Sequence, residues 1–260
     1  MISLKSYPKI NLALDILNKD ASGYHEIKTV FHMLTELFDE LIIEDLSEDR
    51  IEIGCDNPAL PLDDTNIVLK AAKLLKKHTG TKKGAKIFIK KRIPLMSGLG
   101  GGSSNAVAAL KGLATLWAVK DPQCLLRKVT TQIGMDCAFF LDGGTALGEH
   151  FGETITPLPT LPLRIKFEII DTDVEVSSHF AYSQIDLRKC GKNAHKTEQM
   201  LNAINGGDIN GILKNLHNDF EDIVFEKYPK SLDKKREMES LKGGHVLLCG
   251  SGGALVRVYS

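Results

Sequence analysis

One stretch constrains this chain more than any other: Ile93-Pro94-Leu95-Met96-Ser97-Gly98-Leu99-Gly100-Gly101-Gly102-Ser103-Ser104-Asn105-Ala106. The alternating run Lys86 to Ile93 before it reads as a strand, and the Ala/Leu-rich run Ala106 to Trp117 after it reads as a helix. Glycines and serines therefore lie between a strand and the first turn of a helix. Backbone N–H groups at a helix N-terminus lack intrahelical partners, and the helix dipole adds partial positive charge there. Glycine lets backbone approach a bulky anion without a Cβ in the way. The stretch is expected to bind an anion, phosphate first among them. Ser103 and Ser104 are placed to cap the helix, contact phosphate oxygens or reach a metal ion.

Two familiar phosphate loops are excluded. GxxxxGK(S/T) needs a Lys and a hydroxyl after its second glycine, and no segment supplies them. In GxGxxG counted from Gly98, the third glycine falls on Ser103. A flexible Gly-rich linker is disfavoured because a strong helix-forming run follows at once.

At 260 residues the chain makes one large domain or two modest ones. Its 33 basic and 33 acidic residues balance, so no overall field draws it to nucleic acid or membrane. No apolar run reaches the roughly 20 residues of a membrane span. Pro8, Lys9, Asn11 and Asp15 interrupt any signal-peptide core. Cys55, Cys124, Cys137, Cys190 and Cys249 are widely spaced and odd in number, which reads as reduced thiols in the cytoplasm. Cys137 is expected to be a packed small residue, with a nucleophile as the alternative. The Lys82–Arg92 cluster reads as a solvated strand face, with nucleic-acid contact the minor reading.

Along the chain, Ile10, Leu12, Leu14 and Ile16 alternate with polar or small residues, as in a half-buried strand. A polar turn at 18–23 and strands at 30–37, 41–45 and 51–53 suggest an antiparallel N-terminal run. Thr65 is the expected N-cap of a helix through Leu75. Helices are expected over 103–119 and 122–132, a hairpin around Gly152, and a strand at 163–171. Further helices are expected at 177–185, 196–204, 208–216 and 222–225, and strands at 245–249 and 254–259. This order predicts an α+β fold in two lobes, with a boundary near 150–160 where Pro157, Pro159 and Pro162 cluster.

Pro94-x-x-x-Gly98-Leu-Gly-Gly-Gly-Ser-Ser104 resembles the ATP loop of the GHMP kinases, the family of galactokinase, homoserine kinase and mevalonate kinase. Pro8-Lys9-Ile10-Asn11-Leu12 with Gly23-Tyr24-His25-Glu26, and Leu248-Cys249-Gly250-Ser251-Gly252-Gly253-Ala254, resemble two further blocks of that family, in order. The N-terminal block is similar to the branch that phosphorylates a cytidyl diphosphate sugar alcohol in non-mevalonate isoprenoid synthesis. The resemblance covers residues 7 to 259. It implies an N-terminal lobe over 1–155 like a ribosomal protein, a ferredoxin-like lobe over 156–260, and an active site in the cleft between them. Members usually continue past the last strand through a closing helix, whereas this chain stops at Ser260.

The resemblance also implies ATP and Mg²⁺ as cofactors, a small-molecule acceptor, and a monomer or weak dimer that touches neither nucleic acid nor membrane. ATP would lie on residues Pro94 to Ser104, with Asn66 near adenosine or capping a helix, and Ser104 in the Mg²⁺ sphere. Asp136, a lone carboxylate among apolar residues, reads as a general base or as the cap of the next turn, and the family's Gly-x-Asp-x-x-Phe-Phe favours the base. Lys9 reads on pattern as an edge charge, but in the family it keeps the aspartate ionised and neutralises phosphoryl charge. Asn11, Tyr24, His25, Ser178, Tyr182, Gly250, Ser251 and Gly252 would bind the acceptor. His25 would read the cytosine edge, and Tyr182 would stack on the ring with Phe180 as competitor. A homoserine- or phosphomevalonate-type kinase, or a catalytically dead nucleotide binder, is the alternative.

Overall fold

The computed structural model describes residues 1–21 and 23–260; Ser22, within the expected turn at 18–23, lies outside the described residues. In chain order the elements are β1 (Ile2–Ser6), β2 (Lys9–Lys19), β3 (His25–Met33), β4 (Asp39–Leu46), β5 (Ile51–Cys55), α1 (Ile67–Thr79), β6 (Gly84–Lys90), α2 (Gly101–Leu116), α3 (Pro122–Thr130), α4 (Phe139–Asp142), β7 (Thr145–Glu149) and β8 (Thr154–Pro157). The chain continues through β9 (Lys166–Ile170), α5 (Ser178–Ser183), α6 (Ala194–Gly206), α7 (Ile209–Lys214), β10 (His217–Asn218), α8 (Glu221–Lys227), α9 (Pro229–Lys242), β11 (His245–Leu248) and β12 (Leu255–Tyr259). The fold is α+β, as expected.

Contacts divide the chain into two compact units interleaved in sequence, rather than at one point near 155. The first comprises residues 1–8, 35–95 and 100–142, and the second residues 9–34, 96–99 and 143–260. The reason is strand pairing: β2 and β3 join the sheet of order β10-β2-β3-β7-β8, while the strands on either side of them in sequence, β1 and β4, pair in another sheet.

In the first unit the sheet order is β1-β4-β6-β5. β5 runs parallel to β6, so the expected all-antiparallel run fails at that strand. Leu41, Ile43, Ile87 and Ile89 present one apolar face to Val68, Ala72 and Leu75 of α1 and to Ala106, Ala109 and Leu113 of α2. The small side chains of α2 let it approach the sheet closely. A Cβ on Gly112 would lie 2.4 Å from Ile43 Cδ1, which explains a helix-interior glycine that otherwise costs about 1 kcal/mol against alanine.

In the second unit β2 is buried from Lys9 to Ile16 on both faces, not half-buried as its alternation predicts. Its polar positions are inside because each has partners. Asp15 accepts from the Thr197 hydroxyl and lies 2.8 Å from His217 Nε2, while Asn11 donates to Thr29 Oγ1 at 2.8 Å. A smaller sheet, β11-β12-β9, packs Val246, Leu248 and Leu255 with Phe220 and Val224. The charged helix α9 has no apolar stripe to announce it; Pro229 starts it and Lys235 ion-pairs with Glu239 one turn on.

Candidate active site

The glycine-rich stretch runs from β6 into α2 as expected. Gly100 is the N-cap in left-handed conformation (φ 68°) and makes no side-chain cap, so Ser103 and Ser104 sit inside the first turn and do not cap it. Gly102 is exposed, and a Cβ there would meet only Ile67 Cγ2 at 3.5 Å. Gly101 is different: it is buried, and a Cβ would lie 2.9 Å from Ile93 Cγ2 and 3.2 Å from Lys91 Nζ. Of the two, Gly102 is the one open to an approaching phosphate. Ser104 is buried, and its Oγ accepts a 2.7 Å hydrogen bond from Ser6 Oγ.

Asp136 lies half-buried in a tight turn, Met135–Cys137, with no side-chain cap on its Gly134 start. Buried Phe139 and Phe140, ring centroids 5.2 Å apart, anchor the segment that follows. Cys137 Sγ faces Ser103 O at 4.0 Å, which brings this turn to the first turn of α2. Burial pushes the Cys137 thiol up to about 12, so it packs as a neutral group and is no nucleophile at neutral pH. Asn66, not Thr65, caps α1: its Oδ1 accepts from Val68 N at 2.8 Å while its Nδ2 donates to Pro61 O at 2.6 Å. One N–H and one lone pair of that amide remain for another partner.

In the second unit Lys9 is buried at 4% exposure and is not the edge charge that pattern alone suggests. Its Nζ donates to Asn11 Oδ1 at 2.8 Å, and its backbone N donates to Leu99 O at 2.9 Å. The C-terminal glycine turn meets this pair: a Cβ on Gly250 would lie 3.1 Å from Lys9 Nζ and 3.4 Å from Asn11 Oδ1. Sequence reasoning missed the residue that holds this turn. Asn218 Nδ2 donates to Leu248 O and Gly250 O at 2.9 and 2.7 Å; nothing in its local sequence, between His217 and Asp219, signals a partner some thirty residues on. Gly250 and Gly252 therefore have a packing role beside any contact with substrate.

The remaining acceptor candidates gather in the same unit. His25 is buried, and its ring centroid lies 5.5 Å from that of Tyr182 on α5, tilted by 35°. Phe180 instead meets Tyr228 edge-on, with ring centroids 6.2 Å apart. Tyr182 is backed edge-on by Phe220 at 4.8 Å. Tyr24 is exposed, its ring lies 5.3 Å from that of Phe151 at a tilt of 39°, its carbonyl accepts from Asp20 N at 2.9 Å, and its backbone N donates to Asp20 Oδ1 at 3.2 Å. Ser251 Oγ donates to Ser178 Oγ at 2.8 Å. The basic cluster divides: Lys82, Lys83, Lys86 and Arg92 are exposed, but Lys91 is buried, contrary to a wholly solvated face.

The model of the GHMP kinases N terminal domain matches residues 66–144. A 4-diphosphocytidyl-2-C-methyl-D-erythritol kinase of Caldicellulosiruptor saccharolyticus is 38% identical over 257 residues, covering 99% of this chain and 88% of that protein. The enzyme of the same name from Listeria welshimeri is 37% identical, with 100% and 89% covered. A crystal structure of 4-(cytidine 5'-diphospho)-2C-methyl-D-erythritol kinase superposes with a TM-score of 0.80 at 28% identity, covering all of this chain and 90% of the other. Homoserine kinase from Cytophaga hutchinsonii shares the fold at a TM-score of 0.76 and 18% identity, over 99% of this chain and 85% of that one. On sequence and fold together, the chain belongs to the GHMP kinases, in the family of the 4-diphosphocytidyl-2-C-methyl-D-erythritol kinases.

Proposed function

We propose that the chain transfers a phosphoryl group from ATP to the 2-hydroxyl of 4-diphosphocytidyl-2-C-methyl-D-erythritol, in the non-mevalonate route to isopentenyl diphosphate. The observation that carries the choice of acceptor is the His25–Tyr182 pair. Burial, and then the charge of Lys19, lower the His25 pKa, so the imidazole is neutral at pH 7. A neutral imidazole offers one donor and one acceptor, the kind of group that reads an exocyclic amine and ring nitrogen on cytosine. Tyr182 supplies a face for the ring and Tyr24 a second aromatic surface. Ser178 and Ser251, already hydrogen-bonded together, supply hydroxyls nearby in the same unit.

ATP phosphates bind on the N–H groups of the first turn of α2, where the exposed Gly102 leaves backbone open. Asn66 keeps hydrogen-bonding capacity for the adenosine side. Phosphoryl transfer is mostly positioning and charge neutralisation. Asp136 orients the acceptor hydroxyl and takes its proton, and Lys9 supplies positive charge. Ser104 Oγ, which accepts one hydrogen bond from Ser6, retains a lone pair and fits as a single protein ligand to Mg²⁺ carried by the phosphates. The ion, when bound, neutralises phosphate charge. The reading carries with it a cytoplasmic enzyme working as a monomer or weak dimer. No helix among the described residues is long and apolar enough to cross a membrane.

The test is an ADP-release assay with the cytidyl acceptor beside homoserine, mevalonate and galactose. Equal turnover of an acceptor that lacks a base would overturn the reading. Within it, Tyr182→Ala is expected to raise the KM for the cytidyl acceptor roughly 10- to 100-fold, the range of base–aromatic stacking, with the KM for ATP nearly unchanged. His25→Ala should do the same and also weaken rejection of the uridyl analogue, because uracil no longer leaves a buried partner unsatisfied. Wild-type kinetics in both variants would exclude this pocket.

A further inference from the structure

A buried polar network lies beneath the first turn of α2, and of its members the reaction above uses only Ser104. Asp39, at the start of β4, is fully buried. Its Oδ1 accepts from the backbone N–H of Arg92 at 2.6 Å and of Ile93 at 2.8 Å. Its Oδ2 accepts from Lys91 Nζ at 2.6 Å and from Asn105 Nδ2 at 2.8 Å. Lys91 Nζ also donates to Ile93 O at 2.6 Å. Asn105 Nδ2 also donates to Ser6 Oγ at 2.9 Å, and Ser6 Oγ donates to Ser104 Oγ. One carboxylate thus ties the segment entering the glycine stretch to the helix turn leaving it, and the chain of donors ends on Ser104.

We infer that Asp39, acting through Lys91, Asn105 and Ser6, is a positioning residue that sets Ser104 and the first turn of α2 for the nucleotide phosphates. This rests on the ATP site described above. Plain stability does not account for the arrangement, since a buried ion pair is often no better than apolar packing of the same volume. What the network adds is direction. Each lone pair of Asp39 meets a donor from one flank or the other, so neither flank can slide without orphaning a buried donor. Lys91 is held close under Gly101, where unpaired positive charge would oppose the helix dipole; the Asp39 carboxylate offsets it.

Asp39→Asn separates the two sides. The amide oxygen still accepts from Arg92 and Ile93, but the amide NH₂ then faces Lys91 Nζ and Asn105 Nδ2, donor against donor. The wild type and the variant, with Ser6→Ala as a milder break that changes no charge, are assayed for both KM values and titrated calorimetrically with a non-hydrolysable ATP analogue. Asp39→Asn is expected to weaken the analogue and raise the KM for ATP about tenfold or more, and Ser6→Ala about three- to tenfold, both with the acceptor KM within about twofold of wild type. A merely structural role would lower the folded fraction, and so turnover, without splitting the two KM values. Analogue affinity at the wild-type level in folded Ser6→Ala overturns the inference whatever Asp39→Asn does, as does an equal rise in both KM values. A wild type that binds the analogue but ignores the cytidyl acceptor would sink the substrate reading alone, and the titrations would still judge the network.

Discussion

Asp136→Asn is expected to turn over ~100-fold or more slowly than the wild type while binding ATP almost unchanged. The substitution keeps the shape of the side chain and removes its charge and basicity. The turn that carries it should survive, because its hold is elsewhere. Cys137 N donates to Gly134 O at 3.0 Å, Phe139 and Phe140 are buried, and Cys137 packs against Ser103. Steady-state turnover with saturating acceptor, beside calorimetric ATP affinity, separates a lost proton acceptor from a damaged nucleotide site. A variant that turns over at the wild-type rate would remove Asp136 from the mechanism. A variant that loses ATP affinity in proportion would make it a binding residue instead.

Gly98→Ala should cost more than about 4 kcal/mol, the exceptional end of single substitutions, and lower Tm by roughly 10 °C. Gly98 has φ +80°, which strains any L side chain. A Cβ there would also lie 1.6 Å from Cys249 O. The contact is reciprocal: a Cβ on Gly252 would lie 2.0 Å from Gly98 N. Ala254 N donates to Ser97 O at 3.2 Å, so the two glycine turns are hydrogen-bonded backbone to backbone with no room for a methyl. Gly102→Ala is the control, since its Cβ would make ordinary contact with Ile67. Alanine favours a helix over glycine by about 1 kcal/mol, so this variant should melt no lower than wild type while losing ATP affinity. A Gly98→Ala protein with wild-type Tm would show that the two turns do not depend on each other. A Gly102→Ala protein with full ATP affinity would move the phosphates off that turn.

The local elements were legible because their signals are local. Alternation at Lys86–Ile93, the Ala/Leu run after Ser104 and the apolar–turn–apolar pattern around Gly152 each need only neighbours in sequence, and β6, α2 and the β7–β8 hairpin follow them. The glycine-rich stretch, with its strand before and helix after, and its likeness to a known loop, likewise belong to the sequence alone. Burial was not legible. Asn11 and Asp15 look like the solvent face of a strand until Thr29, His217 and Thr197 arrive from distant segments to satisfy them. Lys9 and Lys91 look like surface charges until Asn11 and Asp39 are found beside them. A polar side chain enters a core only with a partner, and partners far apart in sequence leave no mark on the local pattern. The same holds for the ring beside His25: Phe180 and Tyr182 lie two residues apart on one short helix, and Tyr182 meets the histidine while Phe180 meets Tyr228. Sequence by itself determined the strand β6, the helix α2, the β7–β8 hairpin, the glycine-rich stretch and the family, while α9 left no apolar stripe to read; tertiary structure decided which polar groups are buried, which glycines are pressed against backbone, and which aromatic stands beside the histidine, because each depends on contacts between segments that only folding brings together.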